Sequence, residues 1–215
     1  MKILLAALDV TLIDAWQSHC ADLDSVEVHR GSILEAECDA VVSPSNSFGF
    51  MDGGIDMVYS RHFGWHVQER LQASIRELHH GELVVGSAEI IETDHESIPY
   101  LIAAPTMRVP MILSETVNPF LAARGSLLLV KGGKFRSGPS KGKPISEAVK
   151  TLAFPGLGTG VGRVPPRICA QQVRAAIEEV VLGEHTFPRT WADAQVRHQG
   201  LYGGAVRDLQ IDPPG

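Results

Sequence analysis

The sequence predicts an α/β fold in which one sheet is covered by helices on both faces. Three observations carry this. Short apolar runs alternate with longer stretches of helical periodicity along most of the chain. Runs such as Ala40-Val41-Val42 are apolar at consecutive positions, as in strands buried on both sides. Glycine-bearing polar segments fall where a strand gives way to a helix, at the edge where open α/β sheets present their loops.

In chain order, residues 3–8 read as a first buried strand, and residues 11–20 carry Leu12, Ile13 and Trp16 at helical spacing. Residues 26–29 form a short strand. The run at 40–42 is a strand entering a Ser-Pro-Ser-Asn loop. Over residues 63–78, Val67, Leu71, Ile75 and Leu78 make one helical stripe, with Gly81 as its stop. Residues 87–92 and 100–104 read as two further strands. Asn118-Pro119 has the composition of a helix start, Asn as cap and Pro at the first helical position, with the helix reaching about Val130. Residues 132–143 are rich in Gly, Lys, Ser and Pro and read as a surface loop. Residues 152–155 end a strand, residues 165–182 form a helix, and a last helix is expected over 191–198 in an otherwise weakly structured terminus. The expectation is one domain over residues 1–185, followed by an extension at 186–215.

Length and composition bound the function. A chain of 215 residues holds one well-buried core. A net charge of −6 argues against a general nucleic-acid or anionic-membrane binder, yet leaves room for a phosphate site built from backbone N–H groups. Cys20, Cys38 and Cys169 are widely spaced, and no Cys-x-x-Cys pair exists, which argues against zinc and redox motifs. The apolar run at the N-terminus is far short of the ~20 residues that span a bilayer. The protein is therefore read as cytoplasmic, with no membrane partner, cofactor or metal.

Two loops carry the chemistry. The first, from Ser43-Pro44-Ser45-Asn46 to Asp52-Gly53-Gly54-Ile55-Asp56, follows a buried strand and precedes a helix. Gly53 and Gly54 let the backbone approach a ligand, and the helix adds the positive end of its dipole. A plain strand-to-helix turn is the competing reading. The second loop holds Gly156, Gly158, Gly160 and Gly162 between a strand and Pro165-Pro166. A simple turn needs one or two glycines, so four suggest backbone wrapped around a flat or anionic group. The loop is not a P-loop, because no Gly-Lys-Ser/Thr ends it. It also lacks the Gly-x-Gly-x-x-Gly dinucleotide spacing.

Together and in this order, the two loops resemble the macro domain family. The family's Asn-Ala-Ala-Asn and Gly-Gly-Gly-Val-Asp correspond to Ser43-Pro44-Ser45-Asn46 and Asp52-Gly53-Gly54-Ile55-Asp56, with Asn46 and Asp56 at the family's ten-residue separation. The family's Ser-Thr-Gly-Ile-Tyr-Gly-x-Pro is similar to the string from Gly158 to Pro165. Arg30-Gly31-Ser32-Ile33 resembles Gly-Asp-Ile, and Ala103-Ala104-Pro105-Thr106 falls where a strand leads into the site. The resemblance covers residues 26–182. It implies a three-layer α/β/α sandwich with a central mixed sheet and an ADP-ribose cleft. Ser32 and Ile33 would meet the adenine. Gly53, Gly54 and Ile55 would line one side of the diphosphate, and Gly158, Thr159, Gly160 and Val161 the other, with Gly162 beside the distal ribose. Ser45 and Asn46 would lie at the distal ribose, and Asn46 and Asp56 would serve catalysis, Asp56 resembling the aspartate of MacroD-type hydrolases. Three positions depart from the pattern. Ser32 replaces an aspartate, Ser43 replaces an asparagine, and Gly162 stands where many members carry an aromatic.

The implied function is binding of ADP-ribose or an ADP-ribosyl group, with hydrolysis of its linkage to protein or nucleic acid, by a monomer. The alternatives are a non-catalytic reader, and a phosphatase or deacetylase acting on small ADP-ribose derivatives. Asp56 also has a plain reading as a helix N-terminal charge, and Asp52 reads as a turn residue. His62 and His66 lie four apart but no third ligand completes a metal set. His79 and His80 read as cations at a helix C-terminus. Of Phe48 and Phe50, one is expected in the core and one on a pocket wall. Phe187 or Trp191 is a candidate for packing on the adenine. Arg163 either pairs with the diphosphate or faces solvent. Lys131, Lys134, Arg136, Lys141 and Lys143 form a basic loop that is either simply solvated or touches nucleic acid.

Overall fold

The computed structural model describes residues 1–203, so the last residues of the expected extension lie outside the described residues. Six strands form one sheet: β1 (Lys2–Ala7), β2 (Val26–Arg30), β3 (Ala40–Ser43), β4 (Glu89–Glu92), β5 (Tyr100–Ala103) and β6 (Thr151–Phe154). Their order is β2-β1-β6-β3-β5-β4. All neighbours are parallel except β4, which pairs antiparallel with β5. The expected mixed sheet is therefore present.

Strand residues divide between two cores by alternation, since successive side chains point to opposite faces. Ile3, Leu5, Ala40, Val42, Ile102, Leu152 and Phe154 bury against one set of helices. That set is α1 (Val10–Cys20), α4 (Asn118–Gly132), the short α5 (Ile145–Ala148) and α6 (Pro166–Ile177). Leu4, Ala6, Val41, Leu101, Ala103 and Ala153 bury against α2 (Gly54–Phe63) and α3 (His66–Leu78) on the opposite face. The three layers follow from this split. Among the described residues, no helix is long and apolar enough to cross a membrane.

Several local expectations change. The stripe Val67, Leu71, Ile75 and Leu78 lies in α3, but that helix starts at His66 and not at Phe63, because Gly64 takes φ 105° and separates it from α2. Asn118 is the first helical residue and Val117 the cap. The Asn118 amide instead donates to the Thr106 carbonyl at 2.7 Å, tying α4 to the loop after β5. The helix at 165–182 ends at Ile177 and runs on as a π turn, Glu178–Leu182, stopped by Gly183 at φ 75°. Residues 132–143 are anchored rather than free: Phe135 is buried, its N–H donates to Lys143 O, and its carbonyl accepts from Gly142 N. The last helix, α7 (Trp191–Gly200), forms close to where the sequence places it, with a Thr190–Asp193 capping box.

Gln172 joins three segments from the buried face of α6. Its Oε1 accepts from Phe120 N at 3.1 Å, and its Nε2 donates to the carbonyls of Thr116 and Leu201 at 2.9 and 3.1 Å. Gln172→Leu keeps the volume but strands these backbone groups. An unsatisfied buried polar group costs about 1–3 kcal/mol, so urea unfolding should show a loss of roughly 2–3 kcal/mol. An unchanged midpoint would show that the contacts at Gln172 carry no net stability.

Candidate functional site

A cleft of about 430 Å³ opens at the carboxyl ends of β1, β3 and β6. Parallel strands place their following loops on this edge, and burial of both sheet faces leaves it as the place for polar groups. Every site residue expected from the sequence lines it: Ser32, Ile33, Ser45, Asn46, Gly53, Gly54, Ile55, Asp56, Gly158, Thr159, Gly160, Val161 and Gly162.

The first loop delivers the start of α2 to the cleft. Gly53 is its cap, and no side chain caps the helix. The first-turn amides of Gly54, Ile55 and Asp56 have no acceptor within the helix and carry its positive dipole end. Gly54 takes φ 55°, which a side-chain-bearing residue rarely adopts. A Cβ at either Gly53 or Gly54 would meet nothing within 4 Å, so both leave open space beside the amides.

The four glycines of the second loop have separate causes. A Cβ at Gly156 would lie 2.4 Å from Thr159 Oγ1 and 2.7 Å from Leu12 Cδ2. Gly158 takes φ 69°. A Cβ at Gly162 would meet Gly158 O at 2.6 Å and Leu113 Cδ1 at 2.9 Å. These three are required by packing or backbone conformation. Only at Gly160 would a side chain find open space, so Gly160 alone is free of an internal reason to be glycine. The crowding at Gly162 also explains why no aromatic stands there: buried Leu113 takes that volume, and its N–H donates to Gly162 O at 2.7 Å.

Asp56 lies at the cleft wall, 7% exposed. Ser43 Oγ donates to its Oδ1 at 2.6 Å, so the serine that replaces the expected asparagine holds the carboxyl group. Burial raises the Asp56 pKa to about 7, against a smaller lowering by Ser43. Beneath it, Tyr59 is fully buried and donates to Val42 O. Asn46 braces its own loop. Its Nδ2 donates to Phe50 O at 2.8 Å, and its Oδ1 accepts from Phe48 N and Phe50 N at 3.1 and 3.3 Å. One amide hydrogen remains to offer a ligand. The Ser45 hydroxyl is buried and has no hydrogen-bond partner. Ser32 caps a 3₁₀ turn, Ile33–Glu35, accepting from Leu34 N at 3.3 Å. Its hydroxyl hydrogen remains available.

Some expectations separate from the cleft. Phe187 and Trp191 are 81% and 68% exposed and do not line it; Phe187 lies before α7, and α7, which starts at Trp191, buries no residue. Phe50 is the exposed cleft-wall phenylalanine. Phe48 is half-buried under the Arg108 guanidinium, 5.2 Å away, rather than in the core. Asp52 lines the cleft as well as turning the chain, and Arg163 is exposed outside it. His79 binds buried Glu89 at 2.7 Å rather than serving only the helix dipole. His62 lies against His95 with the rings tilted at 44°, and His66 Nε2 lies 3.1 Å from Thr93 O. Among the described residues, no group of three potential ligands could hold a metal.

Sequence reasoning missed two parts of the wall. One is the end of β1, from Ala6 to Asp9, with Leu12. Its signal was present, because Asp9 follows an apolar strand, precedes a helical stripe and caps α1 by accepting from Leu12 N. The other is Met107 with Pro110, after β5, for which a single sequence holds no periodic or capping signal.

The class defined by this fold and cleft is a three-layer α/β module with an uncapped helix start and a glycine loop at one sheet edge. Residues 42–173 match the Macro domain family model, and the chain belongs to that family. An uncharacterised protein of Aquifex aeolicus (strain VF5) is 32% identical over 155 residues, which span 72% of this chain and 80% of that protein. Among solved structures, the macrodomain of Mycobacterium tuberculosis DarG superposes with a TM-score of 0.55 at 18% identity, covering 69% of this chain and 87% of its own. A mutant Oceanobacillus iheyensis macrodomain with ADPR gives 0.57 at 18%, covering 80% and 86%.

Asp56 gives a stability test. Its pKa is raised on folding from 3.8 to about 7. The native state thus favours the protonated form, and its contribution to stability is full below the unfolded value of 3.8 and lost as pH rises to about 7. Asp56→Asn should therefore stabilise the protein more at pH 8 than at pH 5, by up to about 4 kcal/mol at high pH. Equal effects at both pH values in denaturant titrations would rule out a raised pKa.

Proposed function

We propose that the cleft binds ADP-ribose and that the protein hydrolyses the ADP-ribosyl linkage on a modified macromolecule. The observation that carries this is the uncapped start of α2 sharing one cleft with the glycine loop around Gly160. Backbone amides and a helix dipole are a ready site for a diphosphate, with no cationic side chain required. The Oceanobacillus structure named with ADPR supports the ligand.

In this reading adenine lies toward Ser32 and Ile33 after β2. The diphosphate lies between Gly53, Gly54 and Ile55 and the stretch Gly158, Thr159, Gly160, Val161 and Gly162. The distal ribose lies toward Ser45, Asn46 and Asp56. Asp56 in its ionised form takes a proton from a water attacking the anomeric carbon. The bond from that carbon to the acceptor breaks, its electron pair leaves on the acceptor, and the acceptor is reprotonated from solvent. Residues 1–185 form the working unit and 186–215 its extension. A cytoplasmic setting is supported by three buried, free cysteines. A monomer suffices for this reading, because one chain supplies every residue it uses.

A second reading, a non-catalytic reader, is favoured by one observation: most of the Asn46 amide is engaged by its own loop. Activity on small ADP-ribose derivatives has no separate observation behind it.

Saturating ADP-ribose should raise the melting temperature by several degrees, since a ligand at 100-fold its Kd adds about 2.7 kcal/mol. No shift at millimolar ligand would sink the binding reading. Gly160→Val should weaken ADP-ribose binding at least about tenfold with the melting temperature of the free protein unchanged, because its side chain enters open cleft space. Wild-type affinity in that variant would remove the second loop from the site. Release of ADP-ribose from modified protein should rise with pH through about 7 as Asp56 ionises, and Asp56→Asn should abolish the rise. Binding without release from any substrate would establish the reader.

A further inference from the structure

Two helices begin at the cleft, and they begin differently. α2 starts at Gly53 and Gly54 with no side-chain cap, so its first amides stay open to an anion. α1 starts after Asp9, whose Oδ1 accepts from the Thr11 hydroxyl and from Leu12 N at 2.9 Å. The protein's own carboxylate thus fills the anion position at the start of α1. Hydrogen bonds from Thr11 and from the Leu12 amide hold the Asp9 pKa below its ordinary value, so the group is charged at neutral pH. A diphosphate is repelled there and drawn to α2. The group that suits Asp9 is a neutral hydrogen-bond donor.

Strand register puts Asp9 at the β2 end of the cleft. β1 and β2 are parallel with Ala7 opposite Arg30, and Gly31 N donates to Ala7 O at 3.0 Å. Asp9 lies two residues beyond Ala7, Ser32 lies two beyond Arg30, and both line the cleft. They are neighbours on one rim, and their hydrogen-bonding capacities are complementary. Ser32 accepts from Leu34 N and keeps its hydroxyl hydrogen to donate. Asp9 only accepts; both of its bonds fall on Oδ1, and Oδ2 has lone pairs to give a ligand. Among the described residues, no Lys, Arg or His lines the cleft, so no cation there competes for that oxygen. Leu8, 78% exposed, and buried Ile33 give the same rim apolar surface for a flat ring.

We propose, on the reading of the cleft as an ADP-ribose site, that Asp9 selects the base: its Oδ2 accepts the exocyclic amino group of adenine while the Ser32 hydroxyl donates to a ring nitrogen. The carboxylate that the loop after β2 lacks at Ser32 is supplied by the neighbouring strand. A purine with a 6-oxo group in place of the amino group presents an acceptor to Asp9 and is disfavoured.

The test compares Kd, by calorimetry, for ADP-ribose and for its deaminated analogue, in which a 6-oxo group replaces the 6-amino group. The wild-type protein should prefer ADP-ribose by about tenfold or more, because the analogue loses a hydrogen bond to a charged group. Asp9→Asn keeps an oxygen for the Leu12 amide and can turn its N–H groups to the base, so the preference should invert. Asp9→Ser keeps a cap without the second oxygen, so the two ligands should bind alike. Asn and Ser cap helices about as well as Asp, so the melting temperatures of the free variants should hold, which separates reading of the base from a purely structural role. Equal binding of the two ligands by the wild-type protein, or wild-type preference in both variants, would overturn the proposal while leaving ADP-ribose binding intact. Failure of ADP-ribose to bind the wild-type protein would instead overturn the reading of the cleft, and the role of Asp9 with it.

Discussion

The structure depends on burying both faces of the sheet. Each interior strand residue from Ala40 to Val42, from Leu101 to Ala103 and from Leu152 to Phe154 is fully buried, alternately against α1, α4 and α6 or against α2 and α3. Such a sheet leaves no room for polar side chains on its faces. Chemistry is pushed to the carboxyl edge, where Ser43, Ser45 and Asn46 follow the apolar run of β3. Even there the boundary is narrow. Ser43 and Asp56 are buried, and their mutual hydrogen bond is what makes a carboxyl group tolerable so close to the core.

The glycines show how a motif mixes two kinds of constraint. Gly156, Gly158 and Gly162 are set by Thr159, Leu12, Leu113 and the loop's own backbone. They shape the loop and would be needed with or without a ligand. Gly53 and Gly160 have no such neighbour, so their absence of a side chain serves the open space of the cleft. Counting four alternating glycines therefore overstates the ligand signal, and one glycine of the second loop bears on it directly. The same crowding accounts for the departure from family pattern at Gly162. Leu113, delivered by the segment after β5, fills the volume that an aromatic would need.

Much of this was legible in the sequence, for physical reasons that differ by element. The strands were visible because two-sided burial demands unbroken apolar runs, and the two loops because glycine composition changes abruptly between strand and helix. The resemblance then placed Ser32, Asn46 and Asp56 on the same cleft. What stayed hidden depended on contacts between distant segments. Asn118 satisfies the local rules for a cap but serves Thr106, twelve residues earlier. The helix expected from Phe63 starts only at His66, because Gly64 takes a φ of 105° that only the packed structure reveals. Met107 and Pro110 reach the cleft through the pairing of β5 with β3, which no local pattern encodes. Phe187 and Trp191 looked like ligand-stacking aromatics by residue type alone, yet both are exposed outside the cleft, one before α7 and one at its start.

Asp56 brings these threads to the question of chemistry. A carboxyl group at that depth, with one hydroxyl as its hydrogen-bond partner, is held at a desolvation cost that an amide of the same shape would avoid. A module that only gripped a ribose would gain as much from asparagine, which can donate and accept without being charged. The property that asparagine lacks is titration. Burial moves the Asp56 pKa to about 7, where the group is half ionised near neutrality and can take a proton from water and return it. Ser43 then has a definite part: its hydroxyl keeps the carboxyl oriented and limits how far burial raises the pKa. The combination of a destabilising buried acid and a partner that moderates it is the physical argument behind the proposal of hydrolysis at this end of the cleft.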